Sequence, residues 1–198
     1  LPDGVDLSAA YVGDVAMLTI EGLSFAEEFG GDLVMLPDTD GDGDDELLVS
    51  APMGDVLATN GGAVYRFAGE PGAGGVWTTA DAVAVWGGAD VLAAAGGVLV
   101  GADLDGDGIQ DVLASTVYGP TGGRVFGLLS ADLGDWGGDG EVGTGAGLFS
   151  ASGTSDAHGS AVLAGDLDGT GLADVVIGAP AAASALGAAT GSVVGFLR

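Results

Sequence analysis

A pattern of apolar and acidic segments occurs three times along the 198-residue chain, and it limits the possible folds more than any other feature. The acidic segments begin at Asp38, Asp103 and Asp166, so successive copies start 65 and 63 residues apart. In each copy a glycine-led apolar stretch precedes the acidic segment, and two further apolar runs follow it. The chain is therefore predicted to be built from repeated units of about 64 residues.

The apolar runs are short and separated by glycine, which favours strands over helices. The third run of each unit reads GAVYRF, GRVFGL or GSVVGFLR, and more variable fourth runs read AVAVWG from Ala82 and GLFSAS from Gly147. Glycine supplies 41 residues, yet 47% of the chain is hydrophobic, which is enough to bury a core. These patterns predict an all-β fold, a β-propeller of four-stranded antiparallel blades with about three blades per chain.

The repeat divides the chain into four segments. Residues 1–22 end in AMLTIEG and are predicted to form an N-terminal strand that completes a blade. Residues 23–88 and 89–152 form the first two blades, and residues 153–198 form a third blade that is incomplete without an N-terminal strand. Three blades are too few to close a propeller. We therefore expect a homodimer that closes into a six-bladed ring, each N-terminal strand completing the partner's third blade, or a fragment of a longer propeller.

The three acidic segments, 38–46, 103–111 and 166–174, are called here the acidic turns. Their spacing, D-x-D-x-D-G-x-x-D/E with one threonine substitution, places side-chain oxygens at positions 1, 3, 5 and 9 and a backbone carbonyl at position 7. Six or seven hard oxygens suit Ca²⁺ better than Mg²⁺. The predicted ligands are Asp38, Asp40, Asp42, Asp44 and Glu46 in the first turn, Asp103, Asp105, Asp107, Ile109 and Asp111 in the second, and Asp166, Asp168, Thr170, Leu172 and Asp174 in the third.

About three calcium ions per chain are expected from this pattern, with weaker binding at the third turn, where Thr170 brings a neutral hydroxyl. An EF-hand would need a glutamate at position 12, but that position holds Val49, Ala114 or Ile177. The other alternative is a set of metal-free Asp-Gly turns. It is disfavoured because carboxylates crowded without a cation repel one another.

Charge excludes several classes of partner. The chain has 29 acidic residues and three basic ones, a net charge of −26, so it cannot neutralise phosphates. Anionic membranes are therefore very poor partners, and no nucleic-acid partner is expected. Cysteine is absent, which rules out disulfides and thiolate sites. Residues 175–197 carry no charge, but Pro180 and the register of the repeat make them two strands and a loop, so no membrane span is expected.

Two short elements recur at fixed places in the three copies. They are Phe29-Gly30, Ala95-Gly96 and His158-Gly159 before the first strand, and Ser50-Ala51-Pro52, Ala114-Ser115-Thr116 and Gly178-Ala179-Pro180 after the second. With the acidic turns, these elements resemble the FG-GAP repeat of integrin α-subunit β-propellers; Ala114-Ser115-Thr116 departs from the Gly-Ala-Pro pattern. The resemblance implies a calcium-stabilised module, secreted or at the cell surface, that binds an extracellular protein or glycan in adhesion.

Little in the sequence points to catalysis, and we expect a binding module rather than an enzyme. His158, the only histidine, aligns with Phe29 and is predicted to be a packing residue. Arg66 and Arg124 are expected at equivalent positions in or beside third strands, in structural roles. The alternative is the propeller domain of a secreted lyase- or phospholipase-type enzyme. Candidate ligand loops, opposite the acidic turns if the resemblance holds, are residues 53–61, 116–122 and 181–190.

Overall fold

The computed structural model describes residues 18–68, 75–118, 122–130, 140–141, 148–150, 156–183 and 189–198. Within these ranges the chain is all-β, as predicted, apart from a single-turn 3₁₀-helix at Thr79–Asp81 and one helical residue, Ser130. The strands, in chain order, are β1 Thr19–Glu21, β2 Leu33–Leu36, β3 Glu46–Ala51, β4 Ala63–Phe67, β5 Val76–Thr78, β6 Ala84–Gly87, β7 Ala95–Ala102, β8 Asp111–Thr116, β9 Arg124–Leu128, β10 Gly140–Glu141, β11 Leu148–Ser150, β12 Ala161–Gly165, β13 Asp174–Ala179 and β14 Ser192–Phe196.

Three sheets repeat the same antiparallel order. The first sheet runs β2-β3-β4-β6, the second β7-β8-β9-β11, and the third β12-β13-β14. In each sheet the acidic turn joins the first strand to the second. The fourth strands form in the predicted AVAVWG and GLFSAS segments. Three consecutive antiparallel sheets of this kind are compatible with part of a propeller.

The sheets pack face to face in chain order, and the core lies between them. One cluster joins Leu48 and Val64 of the first sheet to Leu99 and Phe126 of the second. A second cluster joins Leu113 and Val125 to a third-sheet group of Val162, Val175 and Ile177. Because side chains alternate across a strand, each sheet has a forward face toward the next sheet along the chain and a rear face toward the preceding one.

Glycine allows the sheets to approach closely. Gly96 has φ of +80°, and a Cβ there would lie 2.7 Å from the Ser50 Cβ of the first sheet. Gly159 repeats this in the third sheet, with φ of +85° and a Cβ position 3.0 Å from the Ser115 Cβ. These glycines belong to the dipeptides that recur in the sequence, so the dipeptide is a contact between consecutive sheets.

Two pairings were not predicted from the repeat. β1 pairs in parallel with β5, with Thr19 opposite Val76, and β10 pairs in parallel with β6. Ile20 and Trp77 thereby join Phe29 over the rear face of the first sheet, where the Trp77 ring stacks on Phe67 at 5.7 Å. Residues 19–21 belong to the segment expected to complete a partner's blade, but in the single chain they pair with β5. Residues 1–17 of that segment lie outside the described part. No helix among the described residues is long and apolar enough to cross a bilayer.

Candidate metal centres

The backbone of each acidic turn bends at two glycines. Position 6 is left-handed in every turn: Gly43, Gly108 and Gly171 have φ of +99°, +89° and +88°. Position 4 is left-handed as well, at Gly41, Gly106 and Gly169. Sequence reasoning did not use the position-4 glycine, although it stands in all three copies. Two left-handed residues so close together fold the turn back on itself, which brings its carboxylates together.

The position-1 aspartate stabilises this backbone in every copy. Its Oδ1 accepts a hydrogen bond from the position-4 amide over 2.7 Å in the first turn and 2.6 Å in the other two. In the second and third turns Oδ2 also accepts from the position-6 amide, over 2.9 Å. The position-3 aspartates in turn accept from the position-5 amides. The hydrogen bonds to the position-4 and position-5 amides are therefore built three times from the same spacing.

The position-9 carboxylate is the buried anchor of each turn. Glu46, Asp111 and Asp174 are fully buried at the start of the second strand. One oxygen of each accepts from the position-2 amide, over 3.0, 2.6 and 2.7 Å respectively. The second oxygen of Asp111 accepts from the Ser130 amide and that of Asp174 from the Arg198 amide. Asp111 and Asp174 thereby connect their turns to the residues that follow the third strand as well as to the second strand.

The two aspartates at position 9 differ in electrostatic balance. Burial raises the pKa of Asp111; the hydrogen bonds from Ser130 and Leu104 oppose this rise, and the neighbouring Asp105 charge adds to it. The hydrogen bond from the Arg198 amide is the main reason that the pKa of Asp174 is lowered. The third turn thus stabilises its buried charge with backbone donors, whereas the second turn leaves part of the cost of burying that charge uncompensated.

Three groups of carboxylates come together in the described residues. In each group, one ligand atom per residue lies within 4.8 Å of the others. The groups are Asp38, Asp40, Asp42 and Glu46 in the first turn, Asp103, Asp105 and Asp111 in the second, and Asp166, Asp168 and Asp174 in the third. Acidic groups that could hold metal ions are therefore present at all three predicted places. The donors are hard oxygens throughout, which fits a hard divalent cation rather than zinc or copper.

The remaining predicted ligands lie around these groups. Asp42 and Asp107 each accept from the amide of position 7, which belongs to Asp44 and Ile109 respectively. Leu172, at position 7 of the third turn, is exposed. Thr170 donates its hydroxyl hydrogen to the Arg198 carbonyl over 2.8 Å. The structure thus brings together positions 1, 3 and 9 in all turns and position 5 in the first.

An arginine distinguishes the first turn from the others. The Arg66 guanidinium donates from Nη2 to Asp40 Oδ2 over 2.8 Å and to Glu46 Oε1 over 3.2 Å. Arg66 pairs with Leu48 across the sheet, whereas Arg124 pairs with Thr116 at the other end of its strand. The expectation that the two arginines are equivalent is therefore wrong.

The sequence did contain the signal for this difference. Arg66 is the fifth residue of GAVYRF, whereas Arg124 is the second residue of GRVFGL. Counting from the leading glycine of each third strand gives Gly127 and Gly195 at the place of Arg66. On this count, only the first acidic turn has an arginine at that place of its third strand.

The opposite end of the middle strands carries the predicted ligand loops. Leu92 donates its amide hydrogen to the Thr59 carbonyl and Tyr118 donates to the Ala93 carbonyl, so loops of adjacent sheets are tied together. Leu57, Leu92 and Tyr118 are exposed there, and Leu92 has a left-handed φ of +62°. Residues 119–121 and 184–188 of the predicted loops lie outside the described part.

Comparison with known proteins agrees with this geometry. Residues 29–65 match the family model of the FG-GAP repeat. Over this stretch the chain is similar to an FG-GAP repeat. The match runs from the Phe29-Gly30 dipeptide through the first acidic turn to β4, which are the elements that the second and third sheets repeat. No curated protein matches the chain.

Proposed function

We propose that the chain is a calcium-stabilised, integrin-like β-propeller module that binds an extracellular protein or glycan. The observation that carries this proposal is the threefold recurrence of one turn, with its carboxylates gathered at the same strand junction of each sheet. The FG-GAP match supports it. Extracellular calcium sites bind at about 10⁻⁴–10⁻³ M, so the proposal includes a location outside the cell or on its surface.

Calcium is favoured over magnesium by the ligands the turns provide. Positions 1, 3 and 9 would supply carboxylates, position 5 a further side-chain oxygen, and position 7 a backbone carbonyl. Ca²⁺ accepts six to eight oxygens in flexible geometry, whereas Mg²⁺ requires a near-octahedral site and retains waters. With a net charge of −26, cation binding would also relieve repulsion within the chain.

Calcium should therefore raise the thermal stability of the chain. At five times Kd each site contributes about 1 kcal/mol by mass action, and three sites raise Tm by roughly 6–12 °C. The measurement compares melting after EDTA treatment with melting in millimolar Ca²⁺ or Mg²⁺. Asp103→Asn should lose part of the calcium effect, and Glu28→Gln, which removes the same charge outside the turns, should keep it. Equal melting in EDTA and Ca²⁺ would refute the metal proposal.

The loop end opposite the acidic turns is proposed to contact the ligand. Support comes from its exposed apolar side chains, Leu57, Leu92 and Tyr118, because exposed aromatic and apolar groups favour recognition. Binding rather than catalysis is supported by His158, whose ring is too buried to reach a substrate.

A glycan and protein array, probed with the calcium-loaded chain, tests the loop proposal. Tyr118→Ser should weaken capture of any hit, while Val76→Ser, an equally exposed change on β5, should leave it unchanged. Hits that depend on Tyr118 support the loop end as the ligand face. Hits that respond equally to both changes, or to neither, place the ligand elsewhere on the molecule.

A further inference from the structure

Arg66 occupies a strand position that is glycine in the other two sheets. Cross-strand register pairs Arg66 with Leu48, Gly127 with Leu113, and Gly195 with Val176. Each of these middle-strand residues lies two positions after the buried carboxylate of its turn. The forward face of the first sheet therefore carries a cationic side chain beside its acidic turn at a place where the other sheets have none.

The guanidinium makes contact with the carboxylates that a cation would use. Nη2 lies 2.8 Å from Asp40 Oδ2 and 3.2 Å from Glu46 Oε1, so a single donor atom bridges positions 3 and 9. Arg66 is 6% exposed, and its Nε has no hydrogen-bond partner among the described residues. A calcium ion binds carboxylate oxygens at 2.3–2.6 Å. Ion and guanidinium therefore compete for the same two oxygens.

We infer that Arg66 is an internal cation of the first acidic turn and makes this turn the weakest calcium site of the three. The inference rests on the proposed calcium function. It reverses the order of calcium affinity expected from the number of carboxylates, because the first turn gathers the most of them. The sequence alone places the weakest site at the third turn, which contains Thr170. Without calcium, the same ion pair compensates the buried Glu46 charge, which would otherwise be costly.

Calcium titration of the full chain by calorimetry tests the affinity order. The wild type should show two tighter sites and one about tenfold weaker, the scale expected when a close charge pair must be broken. Arg66→Met keeps an unbranched apolar stem and removes the charge, so the weak site should tighten to match the other two. Arg124→Met removes the same charge from a third strand, beside Thr116 rather than beside an acidic turn, and should leave the affinities unchanged.

Thermal melting separates this role from a merely structural one. In EDTA, Arg66→Met should melt below the wild type because Glu46 loses its counter-charge. In saturating calcium the difference should shrink or vanish, because the ion replaces the guanidinium. An arginine that only packs against its neighbours would lower Tm equally in both conditions, and that result would overturn the inference.

Two variants keep the test decisive if Arg66→Met does not fold. Asp40→Asn should leave both tight sites of the titration intact, whereas Asp105→Asn at the equivalent position should remove one of them. Loss of a tight site in Asp40→Asn overturns the inference. Three equal sites in the wild type also overturn it but leave the calcium function standing, and a wild type that binds no calcium overturns both.

Discussion

At the scale of single residues, the sequence predicted the packing role of His158 but not the environment of its ring nitrogens. Alignment with Phe29 predicted a packing role, and the histidine is 1% exposed. Neither ring nitrogen has a hydrogen-bond partner among the described residues, which no alignment could reveal. Burial lowers the pKa of His158, and the nearby Asp156 charge only partly opposes this. An imidazole so placed is held in its neutral form.

The expected consequence is a loss of stability in mild acid. Because the folded-state pKa lies below the ordinary value of 6.5, the unfolded chain takes up the proton first as the pH falls below 6.5. The contribution of neutral His158 to the free energy of unfolding is therefore complete above pH 6.5. It declines as the pH falls from 6.5 toward the folded-state pKa. His158→Phe, which copies Phe29, should flatten the decline in stability below pH 6.5. Urea unfolding in saturating calcium measures it, and identical pH profiles for the two chains would contradict the expectation.

At the scale of elements, the sequence repeat predicted those strands and turns that recur in each sheet. Strands two and three, the acidic turns and both fourth strands lie where the spacing placed them, because apolar alternation and glycine punctuation are local signals. The parallel pairing of β1 with β5 could not be predicted, since neither segment recurs and parallel partners carry no turn signature. The Arg66 ion pair was accessible from the sequence, but only by counting from the leading glycine of each third strand.

The close approach of consecutive sheets gives a prediction for Gly96. Alanine there would adopt φ of +80° and place its Cβ 2.7 Å from Ser50 and 2.9 Å from Val64. Strain and overpacking together should cost about 2–4 kcal/mol of unfolding free energy. Gly165→Ala is the matched control: its Cβ would meet nothing within 4 Å, so the change should stay within about 0.5 kcal/mol. If urea unfolding finds the two variants equal, the sheets do not depend on this contact.

At the scale of the whole molecule, the described residues leave the forward face of the third sheet uncovered and cover the rear face of the first sheet only in part, through Ile20, Phe29 and Trp77. The forward face of the third sheet exposes Leu163 at 69% and Val193 at 73%, beside a hollow of about 240 Å³ lined in part by Leu167 and Val176. At the other end, Leu33 and Met35 are exposed on the rear face of β2. The forward faces of the first and second sheets, by contrast, each pack on the rear face of the next sheet.

We propose that a second copy of the chain covers these faces head to tail. The third sheet of one protomer would meet the first sheet of its partner, and two such contacts close a symmetric six-sheet ring. Residues 1–22 would complete the partner's third sheet along β14, which has no outer partner strand among the described residues. For Thr19–Glu21 this requires release from β5. A second copy of the chain is proposed because a forward face packed on a rear face is the contact that already occurs twice within one chain.

Light scattering of the purified chain tests this assembly. The expected mass at micromolar concentration is twice the 18.9 kDa of one chain. Leu163→Asp buries a charge in the proposed contact and should give monomers, whereas Leu57→Asp, on the loop end away from both faces, should stay dimeric. Deletion of residues 1–22 should abolish the dimer if the strand exchange contributes to it. A wild type that stays at 18.9 kDa refutes the dimer and favours a longer single-chain propeller, in which a further sheet of the same polypeptide covers Leu163.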